Sequence, residues 1–184
     1  MMTTTTIDLY CGSKDKKFVF KMNIECAKLS GAISQMLESI DEDDEQNLMF
    51  CVPSAQDYPE KGLVYEKQDS EETIDLINKW CENQVKNPSH YITCGDEEES
   101  NDKKRLRRKA LLMEGKFESE FDTNLLKDLV NKQLISLITV TGFLEITELH
   151  DKACMHMADT RMKGKTPEEI RALLPELVET ETKN

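Results

Sequence analysis

The chain has no run of about eighteen consecutive apolar residues, so no membrane-spanning helix is predicted. Its opening residues, Met1-Met2-Thr3-Thr4-Thr5-Thr6, are polar and lack the apolar stretch of a secretory signal. The cysteines are Cys11, Cys26, Cys51, Cys81, Cys94 and Cys154, and no Cys-x-x-Cys pair occurs among them. They are scattered through apolar patterns and read mostly as small buried hydrophobes of a reducing compartment. Aromatic residues are scarce, with a single tryptophan, while charged residues make up 33% of the chain. Part of it is therefore expected to be disordered. Positive charge is short: 24 Lys and Arg against 36 Asp and Glu leave −12. Such a chain repels phosphate backbones, so no nucleic-acid partner is expected, and basic protein partners are favoured. These absences together predict a protein of the cytoplasm and nucleus. Its 184 residues suffice for one domain, with room for a small appended one.

Ile7, Leu9 and Cys11 alternate with Asp8 and Tyr10, and Phe18, Phe20 and Met22 alternate with Lys17, Val19 and Lys21. Period two on both sides of Gly12-Ser13-Lys14-Asp15 predicts a β-hairpin with one buried face. Ile33, Met36, Leu37 and Ile40 then predict one helix over about 24–39. A third strand is read at 48–52, stopped by Pro53. Residues 54–68 read as a loop. Ile74, Ile77 and Cys81 stripe the next helix, with Leu76 and Trp80 beside them, Asp69 and Glu72 as its caps and Pro88 as its end. The segment 89–116, acidic and then basic, reads as a disordered or weakly helical insertion. From Phe121 helices dominate. One is lined by Leu134, Leu137, Ile138 and Thr141 and stops near Gly142. Another starts at Thr147 or Glu148 and carries Leu149, Ala153 and Met157 at steps of four. Strands first and helices afterwards predict an α+β fold, a small sheet packed with helices.

The sharpest local signal is Met162-Lys163-Gly164-Lys165-Thr166-Pro167-Glu168-Glu169-Ile170-Arg171. Thr166 is a fitting N-cap, Pro167 suits the first helical position, and Glu169 can close a capping box. Glu168 and Glu169 also favour the positive end of the helix dipole. Gly164 permits a sharp break from the helix before it.

That string resembles the hallmark of the S-phase-kinase-associated adaptor family of cullin–RING (SCF-type) ubiquitin ligases. Members carry a nearly identical Lys-Gly-Lys-Thr-Pro-Glu-Glu-Ile-Arg segment. The stretch Leu134-Ile135-Ser136-Leu137-Ile138 through Phe143-Leu144-Glu145-Ile146 is similar to their Leu-x-x-Leu-Ile-x-x-x-Asn-Tyr-Leu-Asp-Ile, and Leu149, Asp151 and Cys154 match further on. Phe121-Asp122-Thr123-Asn124-Leu125-Leu126-Lys127 loosely resembles their Trp-Asp-x-x-Phe-Leu-Lys. Gly142-Phe143 replaces the Asn-Tyr pair that faces the cullin in relatives, and residues 54–68 look like an insertion. After Leu174 the acidic helix that clasps F-box proteins in relatives has no counterpart, which puts the accepted set of F-box proteins in question.

The resemblance implies a POZ-type (BTB-like) fold over residues 1–120, including the insertion, with helices over 121–184 completing it and forming an F-box-binding extension. It implies two protein partners, a cullin scaffold and F-box proteins, and no small-molecule substrate, membrane or nucleic acid. Residues implied to face the F-box are Ile146, Leu149, Cys154, Met157, Met162, Pro167, Glu168, Ile170, Arg171 and Leu174. Gly142 and Phe143 are implied to face the cullin. Rival readings are a POZ-like homodimer, an elongin-C-like adaptor, and a diverged relative that binds one partner but does not bridge.

No catalytic, cofactor or metal site is predicted. His150 and Cys154 share a helix face at i and i+4, but His156 points elsewhere and zinc needs four groups. No cysteine has a patterned base and orienting group beside it, so no enzyme is expected. The basic run 103–109 reads as a nuclear-import signal or a passive solvated loop.

Overall fold

The computed structural model describes residues 6–13, 16–39, 49–52, 67–88, 110 and 119–173. Strand β1 (Thr6–Ser13) pairs antiparallel with β2 (Lys16–Asn23), with Ile7 opposite Met22. Both of these side chains are buried while Val19 and Lys21 face outward, which is the predicted alternation. Strand β3 (Met49–Val52) lies parallel to β1 on its other side, giving a three-stranded mixed sheet of order β2-β1-β3. The remaining described elements are helical, so the fold is α+β.

The helix expected over 24–39 is two helices, α1 (Ile24–Ala27) and α2 (Gly31–Glu38). Ser30 causes the break. Its Oγ accepts from the Ile33 amide as N-cap of α2 and donates to the Leu144 carbonyl. The amides of Gly31 and Ala32 reach the carbonyls of Glu145 and Leu144 at 3.3 and 3.4 Å. The start of α2 thus meets the end of a later helix, and each satisfies the other's orphaned backbone groups. A Cβ on Gly31 would lie 2.7 Å from the Glu145 carboxylate, so this junction needs glycine unless that side chain moves.

Helix α3 (Lys67–Lys86) begins slightly before its expected caps and buries Ile74, Ile77, Trp80 and Cys81 as one face. Helix α4 (Glu120–Leu126) is capped by Ser119 and Asp122, which close a capping box. Helix α5 (Asn131–Phe143) crosses α3, and Gln133 ties the two with a 2.7 Å hydrogen bond to Glu72. Helix α6 (Thr147–Met157) packs on α5 and runs into a π-helical turn (Ala158–Met162). Helix α7 (Pro167–Leu173) follows it. The core joins Ile7 and Met22 of the sheet to Ile33, Trp80, Leu134, Leu137 and Leu149 of the helices. Residues 54–66, 89–109, 111–118 and 174–184 lie outside the described residues, and with them most of the two segments read as insertions, 54–68 and 89–116, and the whole basic run; 67–68 belong to α3.

Gly142 is not the residue that stops α5. The Glu145 amide bonds the Gly142 carbonyl, and the Ile146 amide bonds the Thr141 carbonyl at 2.9 Å. This is a Schellman ending in which Glu145, at φ +54°, takes the left-handed position usually given to glycine. Holding an L-residue there costs about 1–2 kcal/mol. Replacing Glu145 by Gly should raise stability by up to about 1 kcal/mol, after allowing for glycine's greater unfolded-state freedom. Thermal unfolding measures it, and a lower melting temperature for Glu145→Gly would show that the side chain is needed at the α2 junction.

Candidate functional site

The carboxyl-terminal helices are organised around a buried polar cluster. Lys152 of α6 reaches Asp122 of α4 at 2.5 Å and Glu148, one turn back on α6, at 2.7 Å. Its side chain is 5% exposed, those of Asp122 and Glu148 3% and 4%. Trp80 of α3 donates its indole N–H to the other Asp122 oxygen at 2.9 Å, and the Lys152 ammonium lies 6.0 Å from the Trp80 ring centre. Ser119 adds a hydroxyl hydrogen bond to Asp122 at 2.8 Å. Three helices are therefore pinned by one ammonium and one carboxylate. In the sequence, Glu148 and Lys152 look like an ordinary surface i,i+4 pair, and only the position of Lys152 beside Ala153 on the apolar stripe hints at burial.

This cluster positions α6, and the α6 stripe faces inward. Ile146, Leu149 and Met157, implied by the resemblance as partner-facing, are all core residues of this chain. The reason is geometric. Ile146 closes the Schellman motif, and Leu149, Ala153 and Met157 follow at four-residue steps on the same inward line. Cys154 is partly exposed. Its Sγ lies 3.6 Å from Nε2 of His150, whose Nδ1 donates to the Ile138 carbonyl at 3.0 Å. A carbonyl only accepts, so in the neutral ring Nδ1 carries the proton and Nε2 faces the thiol.

The stripe shifts after Met157. The next large apolar residue is Met162, five residues on, since Ala158 is exposed, and the π turn absorbs the extra residue through a 2.8 Å bond from the Lys163 amide to the Ala158 carbonyl. That step of five was a readable signal. Gly164 adopts φ +75° and redirects the chain. Thr166 and Glu169 form the predicted capping box: the Thr166 amide donates to the Glu169 carboxylate at 2.7 Å, and the Glu169 amide donates to the Thr166 hydroxyl at 3.3 Å. No side chain of α7 is fully buried. Ile170 and Leu173 rest partly buried against the core, as does Met162, while Pro167, Glu168 and Arg171 are exposed. The end of α7 is held by Asn131, whose amide donates to the Leu173 carbonyl at 3.2 Å. Leu174 lies outside the described residues. Of the implied F-box set, Met162, Pro167, Glu168, Ile170 and Arg171 thus lie together at one end, with Val130, 59% exposed at the start of α5, as a neighbour the sequence reading missed.

The implied cullin-facing pair lies at the other end of α5. Phe143 is exposed. Gly142 is not a bare surface position: the His150 ring packs on it, and a Cβ there would meet the ring at 3.1 Å. Among the described thiols, burial pushes Cys81 up to about 12, with Cys26 and Glu82 adding to the shift. Cys26 and Cys154 are also raised, chiefly by burial. Raised thiols are poor nucleophiles. Among the described residues no three metal-binding side chains converge, and no helix is long and apolar enough to cross a membrane. No known family model matches the chain, and no curated protein is similar to it.

Removing the Lys152 ammonium leaves two buried carboxylates without their cation, so Lys152→Met should cost about 3–5 kcal/mol of folding stability. Urea unfolding followed by Trp80 fluorescence reads it, and a loss below about 1 kcal/mol would place the pair in solvent. The Glu169 carboxyl is held below its ordinary value of 4.5, first by the Thr166 backbone hydrogen bond. A lowered pKa stabilises the folded form above 4.5, and that contribution is lost as pH falls through the depressed value. The protection factor of the Ile170 amide should therefore fall on acidification below pH 4.5 in the native chain and change less in Glu169→Gln, which lacks the titrating carboxyl. Equal loss of protection in both would remove the cap from the account.

Proposed function

We propose that this chain is a non-catalytic adaptor of an SCF-type ubiquitin ligase, with a POZ-like body that binds a cullin scaffold and a helical end that binds F-box proteins. The observation that carries the reading is the end formed by the π turn and α7. There the segment resembling the family hallmark folds as a capped helix and leaves Met162, Ile170 and Leu173 only partly covered by their own chain. A hairpin followed by two short helices and a strand parallel to β1 is compatible with the POZ-like body. The described thiols, Cys26, Cys81 and Cys154, are raised chiefly by burial and offer no activated nucleophile for ubiquitin transfer.

The adaptor works by proximity. Substrate held through the F-box protein and the ubiquitin-charged enzyme held through the cullin react at raised effective concentration. The F-box surface is narrower than the resemblance implied, because Ile146, Leu149 and Met157 serve the core. It consists of Met162, Ile170 and the exposed flank Pro167, Glu168 and Arg171. On the cullin side Phe143 is the contact, since Gly142 lies under the His150 ring.

Leu149→Asp would damage the fold and cannot probe the interface. Ile170→Asp spares the fully buried core, because α7 buries no side chain fully. Capture of purified F-box domains by the full chain should fall at least about tenfold in Ile170→Asp, as expected for a central interface anchor, with the melting transition preserved. Unchanged capture by Ile170→Asp, or no F-box domain bound by the native chain, would reject the assignment.

A further inference from the structure

Arg161 is the one residue of the π turn whose charge has no answering carboxylate. Its Nη2 donates to the Leu129 carbonyl at 3.1 Å, while its Nε is buried with no hydrogen-bond partner. Among the described residues it makes no ion pair, although the chain as a whole carries a net −12. The acidic side chains nearest in sequence are already engaged. Asp159 pairs with Lys163 at 3.4 Å, Glu168 with Arg171 at 3.8 Å, and the Glu169 carboxylate caps α7 through Thr166. A guanidinium has five N–H donors, and this one uses a single donor on a carbonyl that an uncharged donor could equally serve. A partly buried cation left in this state is costly alone and strongly favourable once paired.

Its location gives the missing partner a chemistry. The Leu129 carbonyl that holds Arg161 immediately precedes Val130, the most exposed of the large apolar side chains described. Asn131, the next residue, holds the Leu173 carbonyl of α7. Met162 adjoins Arg161 in the π turn. One cation therefore stands where the segments that carry Val130, Met162, Ile170 and Leu173 are tied together. The lengthened π turn brings it there, since the extra residue falls between Met157 and Met162 of the apolar line.

We infer that Arg161 is a specificity-determining contact for an amphipathic helix that carries an aspartate or glutamate beside its apolar stripe. The apolar residues meet Val130, Met162, Ile170 and Leu173, and the carboxylate takes the terminal guanidinium nitrogens in a charge-assisted pair. This inference rests on the F-box-adaptor reading and adds a selection rule to it: the chain prefers F-box segments with an acidic residue at the stripe's edge and discriminates against those with a basic one. Like-charge juxtaposition at that point is the rejecting element.

The test uses the full chain and a panel of purified F-box domains, with and without an acidic residue flanking the apolar stripe. Affinity is measured by calorimetry at two salt concentrations. Arg161→Glu should weaken binding of the acidic members about ten- to hundredfold. Arg161→Met, which keeps most of the apolar stem, should weaken them less and flatten their salt dependence. A charge swap, Arg161→Glu against an F-box acid→Lys variant, should recover affinity. Unchanged melting of Arg161→Met establishes that the fold is intact. If both Arg161 variants bind all members with native affinity and native salt dependence, the selection rule is wrong while the adaptor reading stands. If the native chain binds no member of the panel, both fail.

Discussion

One buried ammonium organises the carboxyl-terminal half of this protein. Lys152 stands between Asp122 and Glu148 with almost no access to water, and Asp122 in turn accepts the Trp80 indole proton. Burying three charges is expensive, and the cluster is tolerable only because nearly every polar atom in it meets another. Its geometry sets where α6 lies against α3 and α4. That in turn decides which side of α6 faces the core, and so which apolar residues remain for anything outside.

Everything downstream follows from that orientation. With Leu149, Ala153 and Met157 turned inward, α6 has no apolar face to offer. The available surface is displaced to the segment beyond it, where the π turn, Gly164 and the capped helix α7 swing the chain across the start of α5. Helix α7 is light: seven residues, none fully buried, held by its cap, by Asn131 and by the partial burial of Ile170 and Leu173. A helix held this way can shift at little cost in core packing, which suits the docking role proposed for it.

The hairpin, the α+β class, the α3 stripe and the Thr166–Glu169 cap were all legible, because each depends on residues close together in sequence. The period of two in Ile7 and Met22 and the Thr-Pro-Glu-Glu order are local facts with local consequences. What was not legible depends on distant partners. Ser30 breaks a helix because it bonds the Leu144 carbonyl far along the chain. Glu145 ends α5 in a conformation normally reserved for glycine, so Gly142 drew attention that belonged three residues later. The candidate site divided the same way. Periodicity identified Ile146, Leu149 and Met157 as apolar and aligned, but one chain's periodicity does not say whether the line faces its own core or a partner. Arg161 and Val130 carried no motif, and only the bond between Arg161 and the Leu129 carbonyl brings them together.

The most direct test of the adaptor account is affinity purification of the full chain from its own cells, with identification of the proteins that accompany it. The account requires a cullin and F-box proteins in the same eluate, and requires the F-box proteins to be depleted while the cullin is retained when the α7 surface is altered. Recovery of the chain only with copies of itself, or with neither class of protein, would contradict it.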